Sequence, residues 1–170
     1  PNYSISSNLF FIDTIVPQAS LTLSDNSLTI GETSLVTINF TEAPVGFDYL
    51  SDVSASNGAL SNGSFDNSGL IFTALFTPNS NVISSNSTIT VGVDWADQSG
   101  NAPSSIVSSE VLTIDTTPTI ISGNAIKGPL QNAIAFADDN GDGIQNIGES
   151  SIQTDENGLF TVSATSVDTK

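Results

Sequence analysis

Apolar side chains recur at every second position along much of this chain. Val36, Ile38 and Phe40 alternate with Thr37 and Asn39. Leu70, Phe72, Ala74 and Phe76 alternate through Gly69–Pro78, with Ile71 and Leu75 making the other face partly apolar. Ile89, Val91, Val93 and Trp95 alternate with threonine, glycine and aspartate, and Leu112 and Ile114 continue the pattern toward Asp115. A period of two belongs to a strand that buries one face, and β-branched and aromatic residues suit such a pleated, half-buried surface. No window of a dozen residues keeps a helical period, and strong helix formers are scarce. Turn formers punctuate the runs: Asp25-Asn26, Asn57-Gly58, Asn62-Gly63, Ser99-Gly100-Asn101 and Asn157-Gly158. Short strands between frequent turns predict an all-β, antiparallel β-sandwich. The strands are expected near 20–24, 27–30, 33–41, 49–55, 59–66, 69–77, 87–94 and 106–115. A second, smaller β-domain is expected to follow, with strands near 119–126, 132–137, 151–155 and 159–165. Within it, Glu156-Asn157-Gly158 ahead of Phe160 and Val162 reads as a hairpin.

The chain also repeats itself. Pro1–Asp13 echoes Pro103–Asp115, sharing the proline, the Ser-Ser pair and the closing Ile-Asp-Thr. Residues 1–17 then read as the last strand of a preceding copy, or as a strand donated to a neighbour. Residues 18–118 form one whole copy, and residues 119–170 the second domain. A period of about one hundred residues suits an immunoglobulin-sized sandwich rather than a solenoid.

Four stretches carry a resemblance, in chain order. Ile38-Asn-Phe-Thr-Glu-Ala-Pro-Val-Gly-Phe47 resembles the "TFSEAVTGF" stretch of bacterial Ig-like domains, and Asn57-Gly-Ala-Leu-Ser61 their "NGTLS" strand start. Val93-Asp-Trp-Ala-Asp-Gln-Ser-Gly-Asn-Ala102 resembles their "ATDAAGN" loop, departing from it at Gln98-Ser99. Leu112-Thr-Ile-Asp-Thr-Thr-Pro118 resembles their "VTVDTTAP" closing strand. The resemblance implies a tandem, secreted, non-catalytic stalk of a bacterial surface adhesin, located at the cell surface. Its partners would be neighbouring repeats or copies of the same protein.

Charge removes several alternatives. Two lysine or arginine residues face 18 acids, for a net charge of -16. Nucleic acid is disfavoured as a partner, because phosphate binding needs clustered cations. Docking on an anionic membrane is disfavoured for the same reason, and no apolar run approaches the ~20 residues that span a bilayer. Histidine and cysteine are both absent, which excludes histidine bases, imidazole-bound zinc, disulfides and thiol nucleophiles. No acid is accompanied by a pocket-forming aromatic cluster, so a glycan-cleaving carboxylate pair is not expected. Trp95 alternates with the core of its strand and reads as a core residue rather than a sugar platform.

What the acids can hold is calcium. Asp138-Asp-Asn-Gly-Asp-Gly-Ile-Gln-Asn-Ile-Gly-Glu149 satisfies the pattern D-x-[DN]-x-[DN]-G-x5-E in full. Calcium takes six to eight oxygens, so a binding loop must aim several at one point. Asp138, Asn140 and Asp142 supply the first three, Ile144 a backbone carbonyl, Asn146 a contact through water and Glu149 a bidentate carboxylate. Gly143 makes the sharp turn. The flanks, Ile134-Ala-Phe136 and Ile152, read as strands, so a helix-flanked EF-hand switch is not expected. Residues Ser122–Asp138 with Thr154-Asp-Glu-Asn-Gly-Leu-Phe160 resemble the prealbumin-like B-type domains of bacterial surface proteins. That resemblance implies a calcium role for Asp138, Asn140, Asp142 and Glu149. It also implies a domain truncated at Lys170 or completed by a strand from elsewhere.

A second site is expected where loops gather at one end of the sandwich. Glu42, Asp97, the Asn101 carbonyl and Asp115 are expected to converge on the junction at residues 118–119, with Asp13 playing the part of Asp115 at the preceding junction. In arrays similar to this one, calcium stiffens such junctions. Two other readings stand beside the stalk: a self-assembling extracellular filament joined by β-strand donation, and an accessory module of a secreted hydrolase. Lys127 is considered for an internal isopeptide crosslink, but no late-strand asparagine partner is identifiable.

Overall fold

The computed structural model describes residues 12–125 and 130–164. Of the strand expected at residues 1–17, residues 1–11 lie outside the described residues, as does the crosslink candidate Lys127, and residues 12–17 form no strand.

The first unit is a two-layer β-sandwich. One layer holds β1 (Ala19–Leu23), β3 (Ser34–Phe40), β5 (Gly58–Phe65) and β6 (Ile71–Pro78), in the antiparallel order β1-β3-β6-β5. The other holds β2 (Ser27–Thr29), β4 (Val53–Ala55), β7 (Ile83–Ser87), β8 (Ile89–Val91), β9 (Val107–Ser108) and β10 (Leu112–Asp115). Its strands pair as β2-β10-β7 and β4-β8-β9. Register puts Ser34, Val36 and Ile38 of β3 opposite Phe76, Ala74 and Phe72 of β6. All six are buried, while Leu35 on the alternate face is exposed. Leu28, Ile89, Val91, Leu112 and Ile114 close the core from the second layer. The period-two positions of the sequence therefore become the inward faces of both sheets.

Four expectations for this unit need correction. Residues 49–55 are not one strand: Tyr49–Asp52 forms a helical turn, α1, and only Val53–Ala55 is extended. Asp48 explains this, because its carboxylate accepts from Leu50 N at 3.0 Å as an N-cap. The strand expected at 87–94 begins at Ile83, breaks at Thr88 and ends at Val91. The one expected at 106–115 splits around Ser109. Serine hydroxyls replace ladder partners at both breaks: Thr88 N donates to Ser56 Oγ at 2.7 Å, and Ile89 N to Ser109 Oγ at 3.0 Å. Asn62-Gly63 is not a turn between strands but a bulge inside β5, with Asn62 at φ 55°. Gly63 is needed there, since a Cβ would lie 2.6 Å from Phe72 Cζ and 2.7 Å from Tyr49 Cε1.

The second unit holds two antiparallel pairs. β11 (Thr119–Asn124) pairs with β14 (Leu159–Ala164), and β12 (Ile134–Phe136) with β13 (Ser151–Gln153). The Asp155–Leu159 turn closes, with Asp155 Oδ1 accepting from Asn157 N and Leu159 N at 2.8 Å each. Its flanks do not make the expected hairpin, because β13 and β14 diverge into different ladders. Ala137, Val162 and Ala164 are buried with Phe160 packed against them. Ile120, Ile134, Ile152 and Leu159 stay exposed.

Candidate functional site

Strand direction decides which acids can meet. β3 runs toward Glu42 and β6 runs away from it, Asn39 opposing Ile71 and Ser34 opposing Phe76. Glu42 thus marks the near end of the sandwich. Trp95 anchors the neighbouring loop there. It is buried, meets Phe40 edge-on at 5.0 Å between ring centroids, and donates from Nε1 to Gly92 O at 3.0 Å. Phe40 lies two residues before Glu42 and Trp95 two before Asp97, so this ring contact fixes both acids. Val45 and Ala96 add a two-bond bridge between the same loops.

Among the described residues, three carboxylates come within 4.8 Å of one another at this end: Asp13, Glu42 and Asp97. Asp97 is 2% exposed. Its Oδ1 accepts from Ser99 N and Asn101 N, each at 2.8 Å, and its Oδ2 from Asn101 Nδ2 at 2.8 Å. The arriving chain is tied to the same loop. Ser99 Oγ donates to Asp13 Oδ2 and Asn101 Nδ2 to Asp13 O, both at 3.3 Å. Burial and charge crowding act on these carboxyls together. Burial first, then the charges of Asp13 and Asp97, push the Glu42 carboxyl above its usual range. Burial would raise Asp97 as well, but the Asn101 amide and the N–H groups of Asn101, Ser99 and Gly100 outweigh it and hold Asp97 below the usual range. The site therefore keeps one firm anion beside one that resists ionising, an arrangement relieved by a cation.

Asp115 is not brought to this group. Thr116 O accepts from Asn81 N at 3.2 Å and Thr116 Oγ1 donates to Asn79 O at 2.7 Å, beyond the finish of β6. At ~3.3 Å per residue, β6 separates Asp115 from Glu42 by roughly 20 Å or more. The Thr117 hydroxyl first, then its N–H, satisfy Asp115 and hold it below the usual range. Glu42 and Asp97 thus lie together, but with Asp13 and at the arriving junction rather than at 118–119, while the Asn101 carbonyl accepts from Asp97 N at 2.9 Å. The signal for Asp13 was the echo between Pro1–Asp13 and Pro103–Asp115. The part played by Ser99 had no sequence signal beyond its turn.

The loop between β12 and β13 gathers the other expected ligands. It is flanked by strands, as expected. Asp138 accepts from Gly141 N, Asp142 N and Gly143 N at 2.7–3.1 Å. Gly141 and Gly143 take φ of 73° and 76°, conformations open to glycine. Asp142 Oδ2 receives both Asn140 Nδ2 and Asn146 Nδ2, at 3.1 and 2.8 Å. Asn146 Nδ2 also donates to Ile144 O at 3.0 Å, and Glu149 Oε2 accepts from Asn146 N at 2.7 Å. All six expected ligands are linked, and an amide with polarised hydrogens sits among their oxygens. The Asn146 amide first, then Ile144 N–H, hold Asp142 below the usual range against burial, with Asn140 adding to them. An all-oxygen donor set of this kind fits a hard cation such as calcium.

With the sandwich and its near-end loops in place, the family follows. The profile described as Bacterial Ig-like domain matches residues 13–114. The chain belongs to this bacterial Ig-like family. Its matched span begins at Asp13, the residue tied to the Asp97 loop, and ends before the second unit. The structure of the Yersinia pseudotuberculosis adhesin InvE is similar at 16% identity with a TM-score of 0.39, covering 85% of this chain. The chain spans 50% of that structure's length. No curated protein matches the bacterial Ig-like chain. Among the described residues, no helix is long and apolar enough to cross a membrane.

Proposed function

We propose that the chain is a non-catalytic, calcium-binding extender segment of a bacterial surface adhesin, working outside the cell. The observation that carries this reading is the placement of Asp13, Glu42 and Asp97. A linker acid is held against two loop acids at the end where the chain arrives, and the chain leaves at the opposite end through Asp115. Modules built this way follow one another end to end. A divalent cation shared by Asp13, Glu42 and Asp97, with the Asn101 carbonyl at the same loop, would fix the arriving linker to the sandwich. The loop of Asp138, Asn140, Asp142, Ile144, Asn146 and Glu149 would hold a second calcium inside the following unit. Hydrogen exchange at residues 12–18, in calcium and in chelator, tests the first site. Slower exchange in calcium, absent in Glu42→Gln, supports it. Exchange that ignores calcium contradicts it.

The second unit favours another reading, a filament subunit completed by a donated strand. Among the described residues its buried cluster is Ala137, Val162 and Ala164, while Ile120, Ile134, Ile152 and Leu159 are exposed. Light scattering with and without residues 1–17 separates the two. A fixed monomer mass supports the extender, and oligomers that need residues 1–17 support the filament.

A further inference from the structure

We infer that the outer face of the four-stranded layer is a lateral contact for a second copy of this chain. Its strands β1, β3, β5 and β6 contain no charged residue, in a chain of net charge -16. The second layer is different. Its strand β10 ends in Asp115, Glu32 Oε2 accepts from Thr29 N of β2 at 2.7 Å, and Glu110 Oε2 accepts from Asn26 Nδ2 at 3.1 Å. Register sets the neutral face in rows. Thr22 lies opposite Thr37, Thr37 opposite Thr73, and Thr73 opposite Ser64, so one row of hydroxyls crosses all four strands. Thr37 and Thr73 alternate with the buried Val36, Ile38, Phe72 and Ala74, so the row points outward. Leu35 and Leu75 oppose each other in the next row, and on the same face Leu35 is 46% and Ile71 38% exposed.

Charge selects the occupant. Two copies of so acidic a chain repel each other wherever carboxylates meet, and a face without acids is where they can approach. A threonine hydroxyl both donates and accepts, so a row of them matches its own image across a two-fold axis, as a contact between identical patches requires. Thr37 and Thr73 lie on the two inner strands, so such an axis falls close to them. Leu35, Ile71 and Leu75 supply apolar area beside the row. Size sets the strength. Four strands ~4.8 Å apart, with the six paired positions of β3 and β6 at ~3.4 Å each, give roughly 400 Å². Two such faces bury roughly 800 Å², short of the ~1,200–2,000 Å² of stable pairs. One module therefore pairs weakly, with Kd on the order of 1 mM. Extenders lying side by side would multiply the contact through avidity, a use that rests on the extender reading although the contact itself does not.

Analytical ultracentrifugation of the whole chain in chelator tests the contact. Without calcium no cation bridges the acids, so the outcome is separate from the calcium reading. The expected result is a monomer–dimer equilibrium that added salt strengthens, because ~0.15 M salt screens repulsion beyond ~8 Å. Deleting residues 1–17 should leave the equilibrium in place, which separates it from strand donation. Thr73→Glu and Thr73→Lys should each weaken it about tenfold or more, and an equal mixture of the two should restore it. Ser54→Glu places the same charge on an exposed position of β4 in the second layer and should leave it nearly unchanged. Leu35→Ser adds no charge and should also weaken it, which keeps the test decisive if the Thr73 variants fail to fold. A chain that stays monomeric at several times that Kd, or a dimer that a folded Thr73→Glu leaves intact, would overturn the contact and leave the calcium-binding extender standing. So would a monomer whose Thr37 and Thr73 resonances shift on added dextran, which would make a neutral glycan the occupant.

Discussion

Replacing Trp95 with phenylalanine should weaken the sandwich and loosen its near end together. The indole is buried against Phe40 at 5.0 Å and 87°, and its N–H satisfies Gly92 O at 3.0 Å. Phenylalanine keeps a ring but removes that donor. A part-buried carbonyl left without its partner costs about 1–3 kcal/mol. Losing much of the edge-on contact costs about 0.5–1.5 kcal/mol more. The total is roughly 2–4 kcal/mol, and in a domain of about one hundred residues each kcal/mol shifts Tm by about 4–8 °C. Thermal unfolding followed by calorimetry should therefore show Trp95→Phe melting about 10 °C or more below the wild type. Calcium should also bind the near end more weakly, because the same side chain sets Asp97. A Tm within about 2 °C of wild type would refute this reasoning.

Other outcomes follow from the same geometry. Gly63→Ala drives a methyl against Phe72 and Tyr49, so overpacking should cost about 1–3 kcal/mol in chemical denaturation. Asp142→Ala or Glu149→Gln should abolish the calcium heat of the 138–149 loop in titration calorimetry while leaving the sandwich transition in place. Glu42 has a raised pKa in the folded state, so its ionisation destabilises the folded form at neutral pH. In chelator, Glu42→Gln should therefore melt above wild type at pH 7, and the difference should vanish as pH falls through the raised pKa. Asp97 and Asp142 are shifted the other way. The stability they contribute at neutral pH should be lost only as pH falls below the ordinary aspartate value of ~3.9, which Asp97→Asn should show as a smaller acid-induced loss.

The sandwich was legible because its core is written at period two. Val36, Ile38, Phe72, Phe76, Ile89 and Leu112 are all apolar by alternation and all buried. The errors fall where side chains compete with the ladder. Asp48 caps a helical turn inside an expected strand, Ser56 and Ser109 take over backbone partners, and Asn62-Gly63, a turn-forming pair, makes a bulge beside two aromatic rings. At Ser56 and Ser109 local residue type does not reveal the contest, because the competing partner arrives from a distant strand, whereas Asp48 acts on Leu50 two residues away. The linked oxygen groups of the 138–149 loop were readable for the opposite reason, since all six residues proposed as ligands lie within twelve positions. The near-end group draws on residues 13, 42 and 97, and only topology could choose between Asp13 and Asp115. Both precede a threonine in matching segments, and the direction of β6 decides between them.

Calcium is proposed to bind the near end of the sandwich and steady it. Calorimetry of the whole chain, scanned in calcium and in chelator, tests this most directly, with Glu42→Gln and Glu149→Gln beside wild type. Extracellular sites of this class bind with Kd of about 0.1–1 mM. Calcium about tenfold above Kd contributes about 1.4 kcal/mol to a state that alone binds it, or roughly 6–11 °C for a domain of this size. The account predicts that the sandwich transition rises by that amount in wild type and Glu149→Gln, and stays fixed in Glu42→Gln. A sandwich transition that is the same in calcium and in chelator would contradict it.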